Sequence, residues 1–284
     1  MKFIILSFIL SLAVLETANG LTITEEEEIV ELVDRQYYSV PYADPLFFDT
    51  EKLEILLNKL TETVSKQPTN ALLNEQGIII EEVPGIRLDR EKFIESFLNY
   101  FYGGQSRTIG IPKLYTYPRV STELLAEIRM NNIGKYVTYY DENNIERSHN
   151  ISLSTIAINN YVVFPGEEFS FNKVVGERTK EKGYKKAPVI VKGELAEDIG
   201  GGICQVSSTL FNAVNLRGIQ MVERYSHSRA VPYVPPGKDA TVSWWGPDYV
   251  FKNNYNQPIL IRANSKDGIM EINIFSAEDI RVRN

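Results

Sequence analysis

The chain has 284 residues, of which 43% are hydrophobic and 24% charged, enough apolar material for one large core or two ordinary ones and too much for wholesale disorder. Its formal net charge is −7, and no clustered basic face or polybasic stretch stands out, so nucleic acid and an anionic membrane surface are excluded as expected partners. The single cysteine, Cys204, cannot form an internal disulfide and must be buried, reactive or intermolecular.

In chain order, Met1-Lys2 precedes an uncharged, nearly all-apolar run from Phe3 to Leu15, and Ala18-Asn19-Gly20 follows with small residues at alternate positions. This three-part pattern predicts a secretory signal over residues 1–20, cleaved after Gly20. The run is thirteen residues long, short of the roughly 20 needed to cross a bilayer, so no transmembrane span is expected after signal removal. An exported chain without paired cysteines fits a bacterial surface.

Residues 21–48, with the acidic run Glu25 to Glu28, read as a solvated linker or helix start. Asp49-Thr50 then opens a helix whose Leu53, Leu56, Leu57, Leu60 and Val64 fall on one face, ending near Pro68. Ile78-Ile79-Ile80 is a short strand-like run before a turn at Val83-Pro84-Gly85. Asp89 caps a second helix carrying Phe93, Ile94, Phe97, Leu98 and Phe101, with Gly103-Gly104 as its stop. Aromatic stripes at that spacing read as core, not as a cofactor box.

From Asn131 the texture changes to short β-like runs: Tyr136 to Tyr140, Tyr161 to Val163, Pro188 to Val191, Gln220 to Arg224, Ala240 to Trp244, Pro258 to Arg262 and Gly268 to Phe275. One principal helix, Gln205 to Arg217, interrupts them. The predicted fold is α+β, with a small helical or mixed region over 21–130 and a mostly antiparallel sheet over 131–284. No repeat, phosphate loop or nucleotide fingerprint is present, and no cofactor is expected.

The stretch Asp198-Ile199-Gly200-Gly201-Gly202-Ile203-Cys204-Gln205-Val206-Ser207-Ser208 carries the most chemical information. Three consecutive glycines permit unusual backbone angles and close approach, and Cys204 falls at or just before a helix N-terminus, where free N–H groups favour a thiolate. A lone cysteine can equally be a small buried hydrophobe. His227, after the strand ending at Arg224, could return beside the helix start as a base, or could merely cap a turn. Asp239 or Asp248 could orient it. His149 sits among Asn143, Asn144, Glu146, Arg147 and Asn150 and reads as a solvated loop residue. Gly201, Gly202, Gln205, Ser207, Ser208 and Trp244 are the binding candidates, with Trp245 and Tyr249 nearby. No tight cluster of Cys and His is present, so no metal is expected.

These residues also carry a family resemblance. Pro165-Gly166-Glu167-Glu168-Phe169-Ser170-Phe171-Asn172, Gly183-Tyr184, the block from Gly200 to Leu210, His227-Ser228, Tyr233-Val234-Pro235-Pro236-Gly237 and Asp239-Ala240-Thr241-Val242 resemble the VanW-like family, named for an accessory protein of glycopeptide-resistance clusters. The likeness runs from about Ser152 to Ala263. Upstream, residues 77–125, with Leu88-Asp89-Arg90-Glu91-Lys92 opening a helix, resemble part of a peptidoglycan-binding repeat. The resemblance implies a bacterial cell-envelope protein whose partners are peptidoglycan or wall peptides.

Two functions fit. The first is a cysteine-dependent amidase, peptidase or acyl transferase, since the order Cys204, Gly218-Ile219, His227 is similar to that of papain-like and transglutaminase-like enzymes. The second is a non-catalytic module binding wall peptides or a protein. The enzyme requires Cys204 beside His227 in an open cleft; the binder tolerates a buried thiol.

Overall fold

A computed structural model describes residues 20–44, 46–191 and 194–283. Of the expected signal over residues 1–20, residues 1–19 lie outside the described residues and Gly20 opens the first strand. Two compact units are present, the first built from the chain up to Asn70 and from Val83–Arg119, the second from Ala71–Glu82 and from Val120 onward. The fold is α+β, as expected.

The first unit opens with β1 (Gly20–Glu25) and β2 (Glu28–Asp34), an antiparallel hairpin, followed by the short α1 (Arg35–Tyr38). The acidic run is therefore a hairpin turn and neither linker nor helix start. Leu21 and Ile23 alternate into the core with period two, while Glu26 and Glu27 take positive φ at the exposed tip; Glu26, Glu27 and Glu28 are exposed, and Glu25 is half-buried and paired with Lys113. Next comes α2 (Thr50–Val64), capped by Asp49 Oδ1, which accepts from Glu51 N at 3.0 Å and Lys52 N at 3.1 Å. Its five expected apolar residues are all buried.

The chain then leaves for the second unit as β3 (Leu72–Leu73) and β4 (Ile79–Ile80), an antiparallel pair, and returns as β5 (Gly85–Leu88). α3 (Arg90–Gly103) follows, capped by Asp89 and closed by Gly104 in the left-handed region. β6 (Arg107–Gly110) runs parallel to β1, and β7 (Lys113–Thr116) pairs with β5. One core joins the leucines of α2, the phenylalanines of α3 and the inward residues of the hairpin.

The second unit continues through α4 (Thr122–Ile128), β8 (Asn131–Tyr139), α5 (Ile145–Ile158), β9 (Tyr161–Val163), β10 (Glu168–Ser170) and α6 (Phe171–Val175). The hairpin β11 (Lys186–Val191) and β12 (Glu194–Ile199) leads into α7 (Ile203–Ala213), then β13 (Ile219–Glu223), β14 (Val250–Asn253), β15 (Ile259–Lys266) and β16 (Ile269–Ser276). The main sheet has the order β8-β16-β15-β9, wholly antiparallel, and a second has the order β10-β14-β13. Ile151 and Ile158 of α5 and Val206 and Leu210 of α7 share one core with Ile272 and Ile274 of β16.

Three local expectations change. Ala240–Trp244 is not a strand, because only Thr241 is bridged, to Tyr225, and the segment instead lies across the start of α7. The principal helix starts at Ile203 and ends at Ala213, not Arg217; its last turn is closed by Val214 N on Leu210 O and by a tight Leu216 N to Val214 O turn. Asn144–Asn150 is no loop. Asn144 Oδ1 accepts from Arg147 N and starts α5; Glu146 is exposed, but Arg147 and His149 are half-buried and Asn150 is buried, and His149 Nε2 lies 2.9 Å from Gly183 O.

Candidate active site

The three glycines before α7 are required for two reasons, close backbone approach and left-handed φ. A Cβ on Gly201 would stand 2.5 Å from Ala187 O of β11, while Gly200 and Gly202 adopt φ of +89° and +108° and would meet the side chains of Arg178 and Arg147. Asn150 fixes the loop from the opposite side, donating through Nδ2 to Lys185 O at 2.9 Å and Gly201 O at 3.0 Å and accepting Lys185 N. Cys204 consequently becomes the second residue of an eleven-residue helix, inside its first turn.

The return segment after β13 brings His227 to that turn. His227 Nδ1 and Asp239 Oδ2 are 2.7 Å apart, and the His227 backbone N–H donates to the same oxygen at 2.6 Å. Arg224 secures this carboxylate segment, donating to Asp239 O and Gly237 O at 2.8 Å each. With Nδ1 committed to Asp239, the other edge of the ring is free to act on the Cys204 thiol, whose sulfur also lies 3.8 Å from Thr241 Oγ1 and 3.5 Å from Val242 O. Asp248 is elsewhere: it accepts from the Ser170 hydroxyl and from Asn172 N and Tyr249 N, anchoring α6. Of the two carboxylates considered, Asp239 meets His227.

The electrostatics follow from this geometry. Burial pushes the Cys204 thiol up, but the hydrogen bond and charge of His227, aided by Val242 N–H and the Thr241 hydroxyl, outweigh it and hold the thiol below its ordinary value. Burial pushes His227 down, and the thiolate and Asp239 outweigh it, so the imidazole is held above its ordinary value. Asp239 would be raised by burial, yet the backbone N–H and ring of His227 keep it below the usual carboxylate range. All three shifts run in the direction that favours a thiolate and an imidazolium with an ionised aspartate behind them.

Sulfur and imidazole open onto a cavity of about 720 Å³, walled by Tyr139, Arg147, Arg178, Tyr233 and Val242 and edged by Trp244 and Trp245. The two indoles stand edge to face, 6.2 Å between centroids, with Trp245 87% exposed. Gly202 and Gln205 also reach the cavity, whereas Gly201, Ser207 and Ser208 do not line it. Ser207 and Ser208 are fully buried and bond to Cys204 O and Ala240, holding the segment that faces the thiol. Ile203 N donates to Gly200 O at 3.3 Å and Gln205 N to Gly202 O at 3.0 Å, while Cys204 N, between them, makes no such backbone bond to the glycine loop among the described residues. No group of three or more His, Cys, Asp or Glu suited to a metal occurs among the described residues.

Sequence reasoning missed Asn150, Arg147 and Arg178. Arg147 reaches Gln205 across 58 residues of chain, a proximity that α5 packing on α7 creates and no local pattern announces.

Residues 146–275 match the family model described as VanW like protein, and residues 25–110 match that of a peptidoglycan binding domain. The chain is 52% identical over 268 residues to the uncharacterized protein YoaR of Bacillus subtilis, covering 94% of this chain and 88% of that one. It is 30% identical over 135 residues to the vancomycin B-type resistance protein VanW of Enterococcus faecalis, covering 45% of this chain and 47% of that protein. No solved structure matches. The glycine-cysteine block, the His227 return and these likenesses together place the chain in the VanW-like family.

Proposed function

We propose that this chain is an exported cell-envelope enzyme that hydrolyses or transfers an acyl group at an amide of peptidoglycan peptides. The observation that carries the reading is the Cys204–His227–Asp239 array opening on a cavity. The matched peptidoglycan binding domain supports a wall polymer as partner, and the pattern of residues 1–20 supports export.

The chemistry is nucleophilic. The Cys204 thiolate attacks the amide carbonyl carbon, and the oxyanion formed is held by Cys204 N–H and the start of α7. The His227 imidazolium gives its proton to the departing amine, the C–N bond breaks, and a thioester remains. Water, or an amine, then attacks the thioester; His227 takes its proton, and the thiolate leaves. Asp239 holds Nδ1–H throughout, so that the imidazole keeps Nε2 towards sulfur.

Soluble wall peptides incubated with the full chain test this reading. Release of amine, or its exchange for an added amine, is expected, and Cys204→Ala should abolish it while leaving the fold intact. Tight peptide binding without turnover by the wild type would make the chain a binding module instead, with Trp244 and Trp245 as the natural platform.

A further inference from the structure

Two arginines stand in the cavity wall without a carboxylate in ion-pair contact among the described residues. Arg147 lies in the first turn of α5 and Arg178 in the loop after α6, and both are partly buried. Arg147 Nη2 donates to Gln205 Oε1 at 2.7 Å, and Arg178 Nη2 donates to Asn172 Oδ1 at 2.8 Å. Both acceptors are neutral amides, each fixed at its other end. Gln205 Nε2 donates to Thr138 Oγ1 and Tyr139 O, and Asn172 Nδ2 to Ser243 O and Pro247 O. No carboxylate lies within ion-pair distance of either guanidinium among the described residues. Arg178 Nη1 is buried with no hydrogen-bond partner among the described residues, and the guanidinium carbon lies 5.8 Å from the Phe171 ring centroid.

Such an arrangement is costly to build for stability alone. A guanidinium stays charged, presents five donors in a planar fork, and when buried normally meets an anion. Here burial pushes both arginines down from their ordinary value, and the Cys204 thiolate is among the groups that act the other way. Of the carboxylates nearby, Asp248 acts on Arg178 from beyond ion-pair distance and its oxygens are taken by Ser170, Asn172 N and Tyr249 N, Asp141 and Asp198 are exposed, and Glu177 is only half-buried. The glycine loop is shaped around the same two side chains. A Cβ on Gly200 would come within 3.2 Å of Arg178 Cβ, and one on Gly202 within 2.9 Å of Arg147 Cγ. Glycine at both positions lets the two stems lie directly against the turn that carries the nucleophile.

We infer that Arg147 and Arg178 receive a carboxylate of the substrate, so that the acyl donor is an anionic peptide whose free carboxylate lies beside the amide attacked by Cys204. The identity of the attacked bond rests on the enzymatic reading above. Carboxylate recognition is a binding property, and a Cys204→Ala protein retains it.

The experiment uses that full-length variant and pairs of synthetic wall tetrapeptides, identical except that the carboxylates are free or amidated, titrated by calorimetry. The free acid is expected to bind roughly ten- to hundredfold tighter, the range of a charge-assisted hydrogen bond. Adding Arg147→Gln or Arg178→Gln should remove at least about tenfold of that preference and leave affinity for the amide unchanged, while the Lys replacements, which keep the charge, should keep part of it. Equal binding of acid and amide, including no detectable binding of either, overturns the inference. So does a preference that neither arginine substitution moves. In the Cys204-containing protein, an iodoacetamide profile that shifts with Arg178→Gln while the acid preference stands would assign the pair to the thiolate and also overturn it. Arginine-dependent preference for the acid, in a protein that turns over no peptide, would sustain this inference and sink the enzymatic reading alone.

Discussion

His227 is held from two directions by one carboxylate oxygen, which receives both its backbone N–H and its ring. That arrangement fixes ring orientation before any substrate arrives, and it makes the pH behaviour of the site predictable. Because Cys204 is held below and His227 above their ordinary values, the thiolate should form at lower pH, and the imidazolium persist to higher pH, than in the free groups. Alkylation by iodoacetamide in the folded protein should therefore show a midpoint below the free thiol value of about 8.5, and His227→Ala should move it upward. A thiol silent until denaturant is added would contradict this. Turnover should rise as the thiolate forms and fall as the imidazolium loses its proton, giving a bell. Asp239→Asn should lower the plateau by on the order of 10²–10⁴-fold, because the amide no longer selects the Nδ1–H form. The same substitution has a stability signature. Asp239 is held below its ordinary value, so its contribution is complete above that value and lost as pH falls through the folded one. Urea melts should separate wild type from Asp239→Asn at neutral pH and converge in acid.

At the scale of elements, the site depends on how the β11–β12 hairpin, α5 and α7 converge. Gly201 presses on Ala187 O, and Asn150 of α5 bonds to the backbone of residues 185 and 201 on either side of it. Gly201→Ala should cost about 1–3 kcal/mol, the usual range for forcing an added carbon into a filled space. Asn150→Ala leaves backbone groups unpaired in a buried position and should cost a similar 1–3 kcal/mol. Chemical melts measure both, and the alkylation rate of Cys204 should fall in each variant if the loop sets its position. Wild-type stability with a wild-type rate in both would separate the loop from the nucleophile. The block from Gly200 to Cys204 was conspicuous as sequence because three glycines are locally unusual. Asn150 was not, since one asparagine in a polar stretch looks like any surface residue until its helix is docked.

For the whole molecule, the segment from Ala71 to Glu82 matters most, because it belongs to the second unit although its neighbours in the chain belong to the first. Ala71 and Leu73 join Val120, Leu125, Ile128, Val162 and Leu260 in a separate small core. Arg262 donates to Leu73 O at 2.7 Å and Asn74 O at 2.8 Å, and Asn160 bonds both backbone groups of Leu73. Leu73→Ala should cost the second unit about 2–5 kcal/mol, the range for emptying a buried leucine site. Both tryptophans belong to that unit, so their fluorescence melt should report the loss. An unchanged melt would mean that the segment only rests on the surface.

Local pattern determined a good deal by itself. The spacing of Leu53, Leu56, Leu57, Leu60 and Val64 and of the α3 phenylalanines specified two helices and their buried faces, and Asp49 and Asp89 marked their starts, because helical periodicity and capping act within a few residues. The α+β character and the unusual Gly-Cys block were likewise legible. Packing decided the rest. The choice of Asp239 over Asp248, the helix around His149, the hairpin at Glu25 to Glu28 and the two arginines beside the thiol depend on segments that meet only when the sheets and helices assemble. Residues 12 to 58 positions apart then come within hydrogen-bond distance. A carboxylate's partner is set by where its backbone is carried, and no short-range preference in the chain encodes that.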